Sequence, residues 1–290
     1  MKAGAFDYVR PGSVGEALQA LDDHAGAARV LAGGQSLVPM LHMRLMQVSA
    51  LVDINRLDEL ADVRAEGATT VLGPLVRYAA IERSPIVSER LPLLQCMVGY
   101  VGDPQVRNRG TLGGSLAQAD PTGEMPLACL ALDATVVAAS VSGRREIPID
   151  DFLESAYATT LEPEEMITEV RFPAAPDAFA FLERGRRHND FAVLSIAVLG
   201  RSGADGRWAD LRIALGGVND RAMLATRAAG LLEGTALEDE AIAEAAQAAL
   251  EVVDPPSDVR GSAEYRRHLV PIYVRRALAK LRDDKEGAHA

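Results

Sequence analysis

Lysine is almost missing from this chain of 290 residues: Lys2, Lys280 and Lys285 stand alone, all near the termini. No segment reads Gly-x-x-x-x-Gly-Lys-Ser/Thr, which excludes a P-loop nucleotidase and leaves a Schiff-base lysine without support. Cysteine is as scarce. Cys96 and Cys129 each sit in an apolar context, as small buried hydrophobes do, and no zinc or iron–sulfur spacing exists. The histidines His24, His42, His188, His268 and His289 are scattered without metal-ligand spacing, so no metal is assigned. A basic surplus is missing too. The formal charge of −11 and a pI near 5.0 argue against a nucleic-acid partner, because neutralising phosphates needs a basic face. No run of 18 uncharged apolar residues occurs, and the segment Met1 to Tyr8 has no apolar core. No membrane span is expected, and the protein is read as cytoplasmic.

What remains is a chain with 48% apolar and 24% charged residues, a soluble globular composition. Its length suits one large or two medium domains that need no disulfides. Ser13 with Glu16 has the capping-box form, and Val14, Ala17, Leu18 and Leu21 share one helical face, so a first helix is expected, ending by His24-Ala25-Gly26. Short strands follow at 29–32 and 50–54. The opening is a small α/β unit with a glycine turn at a strand's carboxyl end. Helical patterns broken by Pro85 and Pro92 run to a helix over 91–101. The polar stretch 105–115 is too glycine-rich for helix, and strands are expected at 135–139 and 165–172. Pro173-Ala174-Ala175-Pro176 stiffens the backbone and removes donors, which marks a linker. Beyond it, strands at 179–182, 192–199 and 209–215 and helices at 222–233, 239–252 and 262–282 imply a three-stranded antiparallel sheet covered by helices.

Two glycine pairs carry the chemistry: Ala32-Gly33-Gly34-Gln35-Ser36 and Thr111-Leu112-Gly113-Gly114-Ser115. Without a Cβ, the backbone can take positive φ and turn successive N–H groups onto an anion, with a serine hydroxyl as a further donor. One such turn is an ordinary feature of loops. Two, if the fold brings them together, can hold the two halves of a pyrophosphate. The Gly-x-Gly-x-x-Gly dinucleotide fingerprint and the Gly-x-Ser-x-Gly hydrolase elbow are both absent.

Around these loops the chain resembles a known family. The segments are Ala32 to Met40, Gly102 to Ala117, Ala119-Asp120-Pro121, Arg186 to Ala192, Ala214 to Val218 and Ser262 to Arg267. Together they are similar to the FAD-binding medium subunit of molybdenum hydroxylases, which includes the carbon monoxide dehydrogenase medium subunit and the flavin domain of xanthine dehydrogenase. The resemblance implies an α+β fold of the vanillyl-alcohol-oxidase (PCMH) type. Its FAD-binding domain would span 1–176, as two α/β subdomains of about 1–56 and 57–176, and a C-terminal domain over 177–290 would cover the flavin.

By the same resemblance, Ala32, Gly33, Gly34, Gln35, Ser36 and Leu37 and then Thr111, Leu112, Gly113, Gly114 and Ser115 contact the FAD pyrophosphate. Glu124 takes the ribityl or ribose hydroxyls, and Ile167 and Phe191 lie beside the isoalloxazine. Three departures from the family pattern occur: Gln35 at a place often histidine, Glu124 for the usual aspartate, and Leu182 and Glu183 where a lysine is common. The implied role is electron transfer, from an iron–sulfur small subunit to an external acceptor, in a heterotrimer or its dimer with a molybdenum-cofactor large subunit. Two cysteines cannot build a cluster in this chain, so the relay belongs to a partner. A stand-alone FAD-dependent oxidoreductase acting on a small molecule or NAD(P)H, and a scaffold that has lost flavin, are the alternatives.

Overall fold

The computed structural model describes residues 2–176, 178–187 and 189–284. Asp177, His188, Lys285 and His289 lie outside the described residues. The chain opens with β1 (Asp7–Val9), α1 (Val14–Asp23), β2 (Ala28–Leu31), α2 (Leu37–His42) and β3 (Ala50–Asp53). Ser13 caps α1 as expected, accepting from the Glu16 amide at 3.2 Å, while the Glu16 carboxylate reaches back to the Gly12 amide at 2.7 Å. The face carrying Ala17 and Leu21 packs on Val52 and Ile54. The strands form a parallel sheet in the order β1-β3-β2. The loop Ala32 to Ser36 leaves the carboxyl end of β2, the edge where open parallel sheets receive ligands.

A second, antiparallel sheet follows. Its first strands are β4 (Val63–Glu66) and β5 (Thr69–Leu72). The helical stretch after them divides into α3 (Tyr78–Ile81), α4 (Pro85–Arg90) and α5 (Pro92–Val98). Pro85 and Pro92 each open a helix, because the missing N–H costs nothing in a first turn. The helix expected over 91–101 is therefore shorter. Next come α6 (Pro104–Arg107), α7 (Leu112–Gln118) and α8 (Glu124–Ala131). Then follow β6 (Thr135–Ser140), β7 (Gly143–Pro148), α9 (Ile149–Phe152), β8 (Leu153–Ser155), β9 (Ala158–Thr159) and β10 (Met166–Phe172). The order is β4-β5-β10-β6-β7, with β8 and β9 a separate pair.

One expectation changes here, and one strand appears that the sequence did not mark. The stretch 105–115 holds two short helices, and Gly113 and Gly114 lie in the first turn of α7, which Thr111 caps by accepting from the Gly114 amide at 3.1 Å. Tertiary packing overrides glycine's poor helix propensity: a Cβ at Gly113 would stand 2.4 Å from Pro74 Cβ. Strand β7, Gly-Arg-Arg-Glu-Ile-Pro, is an exposed edge strand whose polar sequence hides it from pattern reading.

Pro173-Ala174-Ala175-Pro176 then leads to β11 (Ala178–Gly185), β12 (Ala192–Ser202), β13 (Trp208–Gly216) and β14 (Met223–Leu224). These make one antiparallel sheet of four strands, not three, because the two-residue β14 is too short to show a pattern. The covering helices are α10 (Thr226–Gly230), α11 (Asp239–Ala248) and α12 (Ala263–Asp283), with a 3₁₀ turn at Ala249–Val252. The helix expected over 222–233 shrinks to α10, since Met223 and Leu224 pair with β13. One face of this sheet, with Phe181, Ala197, Leu199 and Ala214, joins the core around α5 and α8. The other, with Ile196, Val198, Ile213 and Leu215, packs on α11 and α12. Burial on both faces explains the run from Ala192 to Leu199, apolar at every position but Ser195. Among the described residues no helix is long and apolar enough to cross a membrane.

Candidate functional site

The two glycine loops meet. Gly33 is where they touch: a Cβ built on it would fall 2.4 Å from the Arg109 carbonyl oxygen and 3.0 Å from Gly110 Cα. Residues 76–78 hold the second loop in place. The Tyr78 amide donates to Gly110 O at 3.2 Å, the Leu112 amide donates to Val76 O at 3.1 Å, and Arg77 and Thr111 form an antiparallel bridge. Beside this contact opens a cleft of about 710 Å³, within the usual range of small-molecule sites.

Thirteen of the fourteen residues singled out from the sequence line that cleft: Ala32, Gly33, Gly34, Gln35, Ser36, Leu37, Thr111, Gly113, Gly114, Ser115, Glu124, Ile167 and Phe191. Leu112 does not. Its side chain is fully buried in the core around α5 and α8. The turn between β11 and β12 adds Phe191, whose half-exposed ring stacks 4.5 Å from the Arg260 guanidinium.

The two loops differ in what they can offer an anion. The amides of Gly33, Gly34, Gln35, Ser36 and Leu37 have no hydrogen-bond partner among the described residues, and Gly34 takes a positive φ of 72°. Five consecutive N–H groups at one strand end can satisfy a diphosphate. In the second loop the amides from Leu112 to Ser115 are already used. Gly113 donates to Pro74 O at 2.9 Å, Gly114 to Thr111 Oγ1 and Ser115 to Thr111 O at 3.1 Å. None of Gly33, Gly113 and Gly114 has positive φ, so these glycines serve close approach and not a left-handed turn. The sequence alone suggested two equivalent cradles. The structure has one cradle and one packed wall.

Sequence reasoning passed over Tyr78, Asp120, Tyr157, Thr159 and Met166, which also line the cleft. Tyr78 sits below Gly110, whose Cβ would lie 2.4 Å from the ring. Burial pushes its hydroxyl up to about 12, against the hydrogen bond with Ser115 and aided by the charge of Glu124. A tyrosine between two glycine-rich segments gives no periodic signal. Among the described residues no group of three or more His, Cys, Asp or Glu side chains could hold a metal ion.

Glu124 opens α8, and burial pushes its carboxyl up to about 8, with the charges of Glu183 and Asp120 adding against a backbone hydrogen bond. Glu183, on β11, is raised to about 7 by burial, less the effect of the Ser195 hydroxyl, which donates to it at 3.1 Å. The unfolded chain releases the Glu124 proton near pH 4.5 and the folded chain near 8. Stability is therefore fully present below pH 4.5 and is lost as pH rises through 8. The loss is expected to be about 2 kcal/mol, reduced from the full linkage value because the carboxyl faces an open cleft. Urea midpoints of the flavin-free protein between pH 5 and 9 should show this slope, and Glu124→Gln should reduce it to the part that Glu183 contributes. An equal slope in the variant would mean that water in the cleft hydrates the carboxylate.

A loop with free amides at the end of a parallel strand, facing a helix start across a ligand-sized cleft that the turn Asn189 to Phe191 also lines, defines a nucleotide-cofactor-binding protein of mixed α+β architecture. Comparison with known proteins narrows this. The model for the FAD binding domain in molybdopterin dehydrogenase matches residues 4–175, and that for the CO dehydrogenase flavoprotein C-terminal domain matches 179–281. The chain belongs to this family: it is an FAD-binding medium subunit of the molybdenum hydroxylase type, an oxidoreductase subunit, with the PCMH-type fold. It is 41% identical over 282 residues to the 6-hydroxypseudooxynicotine dehydrogenase complex subunit alpha of Paenarthrobacter nicotinovorans, covering 97% of this chain and 95% of that one. It is 38% identical to the carbon monoxide dehydrogenase medium chain of Hydrogenophaga pseudoflava, covering 94% and 96%. A solved structure of carbon monoxide dehydrogenase from Hydrogenophaga pseudoflava superposes with a TM-score of 0.93 at 39% identity, covering 96% of this chain and 98% of the other.

Proposed function

We propose that this chain is the flavin-bearing electron-transfer subunit of a molybdenum hydroxylase. It would take electrons from an iron–sulfur small subunit, which sits with a molybdenum-cofactor large subunit in a heterotrimer or its dimer, and pass them to an external acceptor. The observation that carries this reading is the one cleft lined by both glycine loops, with five amides along its first wall unpartnered among the described residues. Those amides, Gly33 to Leu37, would hold the FAD pyrophosphate, with Thr111, Gly114 and Ser115 forming the opposite wall. Glu124 would accept from the ribityl or ribose hydroxyls, a task for which a carboxylate offers two oxygens. Ile167, buried on β10, and Phe191, at the cleft mouth, would flank the isoalloxazine. We place the boundary between the FAD-binding domain, 1–176, and the covering domain, 177–290, at the proline linker.

When bound, FAD supplies the redox chemistry, taking up and releasing electrons. The chain's own residues place it and set its surroundings. Hydroxyl donors favour the ionised form of Glu124, so binding would release a proton and affinity would rise with pH up to about 8. The chain's cysteines do not compete as redox groups: Cys129 is wholly buried, and burial raises both thiols. Gentle affinity purification of the full chain from its natural host, with metal analysis, is expected to recover iron and molybdenum together with FAD. A chain that emerges alone with FAD, free of iron, and is reduced directly by NAD(P)H or a small organic substrate would overturn the proposal.

A further inference from the structure

The two loops are joined by more than contact, through side chains that do not line the cleft. Asn55, just beyond β3, donates from Nδ2 to the carbonyl oxygens of Leu31 at 3.2 Å and Ala32 at 2.9 Å. Its Oδ1 accepts from one terminal nitrogen of Arg77, whose other terminal nitrogen donates to the Arg109 carbonyl. That carbonyl oxygen is the atom against which Gly33 packs. Only one orientation of the Asn55 amide satisfies these bonds, because its nitrogen must face carbonyls and its oxygen the guanidinium. Asp53 fixes that orientation, accepting from the Asn55 amide at 3.0 Å and from Nδ2 at 2.6 Å, and it accepts the Tyr8 hydroxyl on its other oxygen.

We propose that Asn55 and Arg77 are positioning residues, a clamp that locks the two glycine loops in register before the cofactor arrives. The inference rests on the reading that the cleft between those loops is the FAD site. A planar guanidinium spans Asn55 Oδ1 and Arg109 O at once, which an ammonium cannot do from one nitrogen. The clamp ties the carbonyl end of the first loop to the residue before Gly110, so the free amides of Gly33 to Leu37 face a wall that cannot drift. Binding then costs less ordering of the loops, the general advantage of a preformed site.

The test is titration calorimetry on flavin-stripped full chain, with FAD and with ADP, which carries the diphosphate but no flavin. Asn55→Ala and Arg77→Gln are each expected to weaken both ligands by the same factor, roughly 10- to 100-fold. Since both break one chain of bonds, the double variant should be no weaker than either single variant, and Arg77→Lys should recover little despite keeping the charge. Wild-type affinity in Arg77→Gln, or losses that multiply in the double variant, would overturn the clamp. So would loss of affinity that follows general unfolding, seen as collapse of the thermal transition in the stripped variants. Gly33→Val separates the two levels: if it too leaves FAD affinity unchanged, the site itself lies elsewhere.

Discussion

Arg266→Ala is expected to destabilise the protein by about 3–5 kcal/mol, the sum of two buried acceptors left unpaired and a cavity opened by truncation. Arg266 on α12 is 1% exposed. It donates to Val193 O at 2.5 Å, Gly217 O at 2.7 Å and Asp258 Oδ1 at 2.8 Å. Truncation leaves two buried carbonyls without a donor and opens a cavity among the C-terminal strands. The effect should reach the cleft, because the Gly217 amide donates to Pro121 O, one residue from Asp120 on the cleft wall. At this chain length the melting temperature should fall by about 10 °C. Arg266→Lys should lie between, since one ammonium cannot reach three acceptors in that fork. A melting temperature within 2 °C or so of wild type for the alanine variant would show that water or a shifted backbone replaces the lost donors.

Gly33→Val should produce the largest loss of cofactor affinity from a single added side chain. Its Cβ would stand 2.4 Å from Arg109 O and 3.1 Å from Arg109 C, and these are backbone atoms with no rotamer to relieve the clash. The loops must separate, at a cost of about 1–3 kcal/mol in stability, as for overpacking elsewhere. Flavin affinity should fall at least about tenfold, one factor per 1.4 kcal/mol of lost register. Gly230→Ala is the matched control, because a Cβ there meets nothing within 4 Å. Fluorescence titration of stripped protein with FAD measures both. Wild-type affinity in Gly33→Val would detach the loop contact from cofactor binding. Gly114 is a weaker probe than its sequence position suggests, since its Cβ would approach only Thr111 Oγ1, at 2.8 Å.

Most regular elements were legible because their signals are local. Ser13 and Glu16 announce α1, Pro85 and Pro92 mark breaks in the helical pattern where α4 and α5 begin, and runs of β-branched and aliphatic residues mark β3, β6, β10 and β12. The failures share a cause. The stretch 105–115 reads as too glycine-rich for helix, yet Pro74 presses so close that no other residue fits at 113. Strands β7 and β14 lack periodic signal, one for its exposure and the other for its length. The site was legible at its loops, and Asn55, Arg77 and Tyr78 were not, because their importance lies in bonds to segments 23 to 32 residues away.

Composition and spacing by themselves determined that this chain lacks the lysine loop and the cysteines for P-loop or iron–sulfur chemistry, and that it carries two glycine turns suited to a diphosphate. Those conclusions depend only on which groups are present and how far apart they lie along the backbone. Tertiary structure alone decided that the first turn keeps its amides free among the described residues while Leu112 to Ser115 spend theirs on Pro74, Val76 and Thr111. It also decided that Arg109, more than 70 residues from Gly33, closes against it. An amide's availability is set by whichever carbonyl the fold brings within 3 Å or so, and that neighbour is not written in the local sequence.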